Sequence, residues 1–276
     1  MPSIHPTAIV DHRAELADDV QVGPFCIIEA NVSIGAGTVL HSHSVIAGPL
    51  AVGAGCKIGP SAYVGLDPQH LEFLTRPDKP LTWAVIGNDV IIREGASIHR
   101  ATRPGLENAT RVGNRCMLMG SAHVAHDCKV ADGVIMANAA LLGGHTTVGE
   151  KAFIGGGCTI HQFCRIGRLA MVGGNQSVGH DVPPFAAVLY NGIKGYNAIG
   201  CKRAGMSRQT IHSIRAAWQL FHTLRTLPAV IDAMKGISPM SDEVREIIDF
   251  MSTTKRGIQP SVKFLNYLNM KGADLI

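Results

Sequence analysis

Aliphatic residues recur along this chain every six positions. Stepping by six from Ile4 meets Val10, Leu16, Val22, Ile28, Ile34, Leu40, Ile46, Val52, Ile58 and Val64. After a gap come Ile86, Ile92 and Ile98; after a second gap the register runs unbroken from Val112 through Val124, Leu142 and Ile160 to Val178. A helix returns to one face every 3.6 residues and a strand every second, so neither alone holds a period of six. A short strand followed by a turn does, and three such units close a triangular coil with the aliphatic residue pointing inward. Glycine often follows the aliphatic position, as at Gly23, Gly53, Gly113 and Gly149, where it eases the corner. The pattern predicts a left-handed parallel β-helix built from hexapeptide repeats.

The fifth position of each unit should also face the narrow interior. Cys26, Cys56, Cys116, Cys128, Cys158 and Cys164 all fall there. A buried cysteine behaves as a small hydrophobe. With no CxxC pair in the chain, these six read as packing rather than as metal ligands or nucleophiles. Cys201 lies outside the repeat.

Units three apart stack on one face, about 4.8 Å per coil. The units at Ile98, Val124, Leu142 and Ile160 share a face and carry His99, His126, His145 and His161; His123 closes the unit before Val124, at the adjoining corner. Both gaps, about 65–85 and 103–111, leave from this face, and loops on a rigid scaffold are where function concentrates. A neutral imidazole suits general-base work near pH 7, and Asp127, next to His126, is suited to orient it. There is no G-x-S-x-G elbow. Direct deprotonation of a hydroxyl or amine is the simplest scheme, with a histidine-bound zinc ion as its rival.

The repeat stops at Asp181-Val182-Pro183-Pro184, dividing the chain into a β-helix over 1–184 and a helical domain over 185–276. From Ser207, a capping residue, Ile211, Ile214, Trp218 and Phe221 follow helical spacing, with Arg208, His212, Arg215 and His222 on another face. Ser241-Asp242-Glu243 opens a further helix. The net charge is only +4, but 182–231 contains no acid while carrying Lys194, Lys202, Arg203, Arg208, Arg215 and Arg225. This predicts docking of an acidic partner. Nucleic acid is disfavoured because the patch lacks interleaved aromatics. The N-terminus does not read as a signal peptide and no apolar run would span a bilayer, so the expected location is the cytoplasm.

Ile98-His99-Arg100, His123-Val124-Ala125-His126-Asp127-Cys128, Gly144-His145, His161-Gln162-Phe163 and Asp181-Val182-Pro183-Pro184-Phe185 together resemble the acyl-carrier-protein-dependent UDP-N-acetylglucosamine O-acyltransferases that begin lipid A synthesis. The resemblance runs from Ile4 to about Gly257. It implies a homotrimer with sites between subunits, an acyl-carrier-protein donor, a nucleotide-sugar acceptor, and neither cofactor nor metal. It implies that His126 is the general base, assisted by Asp127, and that the Gly144 N–H stabilises the oxyanion. By the same resemblance His99, His123, His145, His161 and Gln162 contact the substrates. Arg203 meets phosphate or the carrier's pantetheine arm, Asn197 belongs to the binding set, and Gly174 sits where acyl length is set, its small size suiting a long chain.

The chain departs from the family pattern in three places. The first loop's usual Gln-Asp-Leu-Lys is Gln69-His70-Leu71-Glu72, the usual glutamate two residues after Asn197 is Ile199, and the connector from Phe185 to Asn197 is shorter. The first two fall on acceptor contacts, which leaves another nucleotide sugar or an amino-sugar open as acceptor. Two other classes use the same scaffold. A γ-type carbonic anhydrase wants histidines five apart, whereas His123 and His126 are three apart. The other is a β-helix that binds a nucleotide sugar or carrier without turning it over.

Overall fold

The computed structural model describes residues 1–262; the end of the helical domain, 263–276, lies outside the described residues. The six-residue period becomes a parallel β-helix with three sheets, one for each side of a triangle. The first sheet runs from Ser3–Ile4 to Met171–Val172, the second from Ile9–Val10 to Ser177–Val178, and the third from Glu15–Leu16 to Arg165–Ile166. Pairing is in register by whole coils: Ile4 lies beside Val22, Val10 beside Ile28, and Leu16 beside Ile34. Each aliphatic repeat residue stacks on another of its kind. From Val22 onward these residues are buried, while Ile4 is 42% exposed because no coil covers it.

The turns explain the rest of the repeat. Corner residues such as Phe25, Asn31, Asp127, His145 and Phe163 adopt a left-handed conformation, with φ between 58° and 66°. Where glycine follows the inward residue the cause is different: a Cβ on Gly53 would come within 2.6 Å of the Gly87 backbone on the next coil. All six interior cysteines are buried and free, as is Cys201. Their thiols donate to backbone carbonyls, for example Cys128 Sγ to Gly143 O on the next coil at 3.2 Å.

Two insertions interrupt the coils between the second and third sheets. The first follows the strand Tyr63–Leu66, carries helix α1 (Leu71–Thr75), and ends at the strand Ala84–Ile86. The second separates Ser97–His99 from Thr110–Val112 and contains a 3-10 turn at Leu106–Asn108. In each, the returning strand begins two residues inside the expected gap, at Ala84 and at Thr110.

Past Asp181 the first sheet is closed by an antiparallel hairpin, Ala186–Leu189 with Gly192–Tyr196. Among the described residues four helices follow: α2 (Ala198–Arg203), α3 (Arg208–Thr223), α4 (Leu227–Lys235) and α5 (Asp242–Ser252). Ser207 caps α3 and Ser241 caps α5, each accepting from the backbone three residues on. The expected apolar face of α3 is present: Ile214 and Trp218 are buried against Val230, Met234, Val244, Ile247 and Met251. Arg208, His212 and Arg215 are exposed. His222 does not join them; it is half-buried, edge-on to Phe221 at 5.5 Å. Helix α5 is tied to the last coils by Arg168, which pairs with Glu246 at 2.7 Å, and by Arg165, whose Nη2 donates to Phe250 O at 2.8 Å.

Candidate functional site

The histidines cluster along the second sheet, as the register predicts, but at four different positions relative to the inward residue. Strands His123–Val124, Leu141–Leu142 and Thr159–Ile160 pair in sequence. Counting from each inward residue, His126, Gly144 and Gln162 occupy the second place on, while Asp127, His145 and Phe163 occupy the left-handed corner at the third. His99 and His161 stand at the first place. His123 is not at a corner. It lies in the strand itself, opposite Ser97, and its Nδ1 is 2.8 Å from Ser97 Oγ.

The corner brings His126, Asp127 and His145 together. His126 Nδ1 is 2.7 Å from Asp127 Oδ2, and His145 Nε2 is 3.5 Å from the same oxygen. Burial pushes the Asp127 carboxyl up, but hydrogen bonds from His126 and Thr102 and the nearby His145 outweigh it, holding the group below its ordinary value. An ionised carboxylate only accepts, so Nδ1 of His126 is the donor, and in the neutral ring the free lone pair is on Nε2. Gly144 is glycine for a visible reason: a Cβ there would lie 2.6 Å from His126 Cε1 and 2.9 Å from Nε2. Among the described residues no acceptor takes the Gly144 N–H.

Around this centre rings meet edge to face. His126 is 5.3 Å from His145 and 5.5 Å from His70; His99 is 5.1 Å from His123. Phe163 stacks on His145 at 4.6 Å. Burial, and then repulsion from His123 and His126, lowers the His99 imidazole to about 4, and its Nδ1 has no partner among the described residues. Burial likewise lowers His123 and His145.

His70 arrives on the first insertion, where it caps α1: its Nδ1 accepts from Phe73 N at 3.4 Å. That fixes the neutral ring as its Nε2–H tautomer, a donor where a carboxylate would accept. Gln69 and Glu72 are exposed on the same loop. Buried Arg100 fastens the loop, donating to Asp67 and to the Gly48 carbonyl.

The other expected residues lie apart from this centre. His161 faces the C-terminal segment, its Nδ1 3.2 Å from Arg256 Nη2, and Gln162 is exposed. Gly174 follows a strand of the first sheet and is exposed, with Gly156 O 3.4 Å from where its Cβ would be. Asn197 caps α2, accepting from Gly200 N and donating to Leu169 O; Arg203 is exposed in the last turn of that helix. The sequence pattern singles out neither Thr102 nor Phe163. Phe163 had a signal, since it holds the same corner position as Asp127 and His145. Thr102, at the mouth of an insertion, had none.

Donor atoms of His126, Asp127 and His145 lie within 4.8 Å of one another, close enough to share a metal ion. The hydrogen bonding favours proton chemistry instead, because the Asp127 carboxylate already accepts from His126 Nδ1, Thr102 N and Thr102 Oγ1.

Comparison with known proteins agrees with the fold. Residues 181–259 match the family model described as UDP N-acetylglucosamine O-acyltransferase, domain 2, and 13–48 match the bacterial transferase hexapeptide model. The acyl-[acyl-carrier-protein]–UDP-N-acetylglucosamine O-acyltransferase of Thermodesulfovibrio yellowstonii is 42% identical, covering 94% of this chain and 99% of that protein. The enzyme of the same name from Syntrophobacter fumaroxidans is 39% identical over 92% and 98%. The crystal structure of LpxA from Acinetobacter baumannii superposes with a TM-score of 0.85 at 40% identity, covering 92% of this chain and 98% of that one. The chain belongs to the UDP-N-acetylglucosamine O-acyltransferase family.

Proposed function

We propose that this chain moves an acyl group from acyl carrier protein to a sugar hydroxyl of UDP-N-acetylglucosamine, the first step of lipid A synthesis, with His126 as general base. The observation that carries the assignment is the 2.7 Å contact between His126 Nδ1 and Asp127, made beside the Gly144 backbone. Nε2 of His126 takes the hydroxyl proton as the oxygen attacks the thioester carbonyl. Asp127 holds the ring and stabilises the imidazolium that forms. The Gly144 N–H receives the tetrahedral oxyanion. On collapse the carbon–sulfur bond breaks and His126 returns its proton to the departing thiolate. The thioester arrives activated, so the scheme needs no cofactor.

The expected result for His126→Ala is a turnover loss of about 10²–10⁴-fold with an unchanged thermal midpoint. Retained turnover would remove His126 as base. A chain that merely binds its ligands would yield no product with any pairing of 3-hydroxyacyl carriers and UDP-sugars. Stoichiometric zinc in the purified protein would revive the metal reading.

One observation bears on the acceptor. Because His70 is held as the Nε2–H tautomer, it offers a donor near His126, which suits an oxygen on the sugar better than an ammonium. Aspartate also caps helices, so His70→Asp keeps α1 while exchanging donor for acceptor. Comparing UDP-N-acetylglucosamine with its 3-amino analogue, this variant should shift preference toward the amine by about tenfold, roughly one hydrogen bond. An unchanged ratio would exclude residue 70 from acceptor choice.

A homotrimer fits the outer face of the first sheet, where Ile91, Met117, Ile135, Phe153 and Met171 form a half-buried apolar column. The exposed arginines of α3 suit an acidic carrier protein. No helix among the described residues is long and apolar enough to cross a membrane, in keeping with a cytoplasmic enzyme.

A further inference from the structure

Both ends of the second insertion are tied to Asp127 on the next coil. The insertion leaves after Thr102 and returns at Thr110, and both threonines reach Asp127. The Thr102 N–H donates to Asp127 Oδ1 at 3.1 Å and its hydroxyl donates to Oδ2 at 2.8 Å. Thr110 Oγ1 accepts from the Asp127 N–H at 2.8 Å. The carboxylate held in this way is 9% exposed, and its Oδ2 also takes the proton of His126 Nδ1. A regular hexapeptide corner would put one residue where Thr102 and Thr110 both stand.

We propose that Thr102 is a positioning residue for the acyl transfer, and that the second insertion serves to deliver it. Its two hydrogen bonds stop the carboxylate from rotating away from His126, so that the base stays aimed beside Gly144. Thr102 touches neither substrate; it acts through Asp127. The inference rests on the reading of His126 as general base, and the two can fail separately, since full activity in His126→Ala would sink that reading without any change at Thr102.

The test is a set of four variants assayed for kcat and KM with both substrates. Thr102→Val preserves shape and the backbone donor but removes the hydroxyl; kcat should fall on the order of tenfold, as expected for a slightly misplaced base, with both KM values within about twofold. Thr102→Ser restores the hydroxyl and should recover most of the loss. In an Asp127→Ala background, Thr102→Val should cost nothing further, because the residue it acts through is gone. Wild-type kcat in Thr102→Val, failure of serine to rescue, or an equal loss with and without Asp127 would each overturn the proposal.

Discussion

At the residue scale, two features of the site are decided by space and burial rather than by charge. Gly144 has no alternative while His126 occupies the volume its Cβ would need. Gly144→Ala must push the imidazole aside, and kcat should fall about 10²-fold, the penalty for displacing a reacting group by about 1 Å. The coil should keep its thermal midpoint within a few degrees, since the displaced ring sits at the corner and not in the core. His99 bears on stability. Its folded value, about 4, lies below the ordinary 6.5 because burial and the neighbouring imidazoles disfavour its charge. The neutral ring's contribution is therefore complete above about pH 6.5 and is lost as pH falls toward 4, at about 1.4 kcal/mol for each pH unit crossed between the two values. Unfolding measured across that window should show a steep acid limb. His99→Gln should flatten it, and an identical limb in the variant would point to His123 and His145 as the titrating groups.

At the element scale, the join between solenoid and helices depends on Asp181. This carboxylate is 1% exposed and accepts from Arg165 N, Arg165 Nε and Thr254 Oγ1. Its backbone pairs with both Gly257 and Gln259. Removing one partner of a buried ion pair leaves an uncompensated charge, so Asp181→Ala should cost about 3–5 kcal/mol in denaturant unfolding. Limited proteolysis should then cut between coil and helices first. The sequence made some of these elements plain and others not. The coils were readable because every inward position repeats the same demand, and the histidine face followed from counting by three. Helices α3 and α5 were readable from a capping serine and an apolar stripe. Helices α1, α2 and α4 were not: α1 and α2 are too short to show a period, and Thr226 makes no side-chain cap bond to mark α4. The placing of His123 at a corner failed because strand ends lie one residue earlier than the inward position alone suggests. Thr102 escaped notice because an insertion has no register from which to predict what it meets.

At the scale of the whole molecule, the column of aliphatic and thiol side chains inside the coils runs on without a break into the core of the helices, where Trp218 and Met251 are buried. Burial raises Cys116 and Cys164 to about 11 and Cys128 to about 12, so these thiols are both covered and protonated. A thiol reagent should label none of the seven cysteines in the native protein and all of them in denaturant. Rapid native labelling of even one would mean that a coil opens. The coil register has a further consequence. Residues eighteen apart in sequence, such as Ile9 and Ile27, lie on the same side one level apart, so the chain is threaded like a screw with a pitch of about 4.8 Å. Every part of the proposed centre lies beyond Leu66. Excising 27–44 removes one full turn of the thread and leaves the phase of everything downstream unaltered. Excising only 27–32 turns the first coils by a third of a revolution against the rest. The larger deletion is therefore the gentler one.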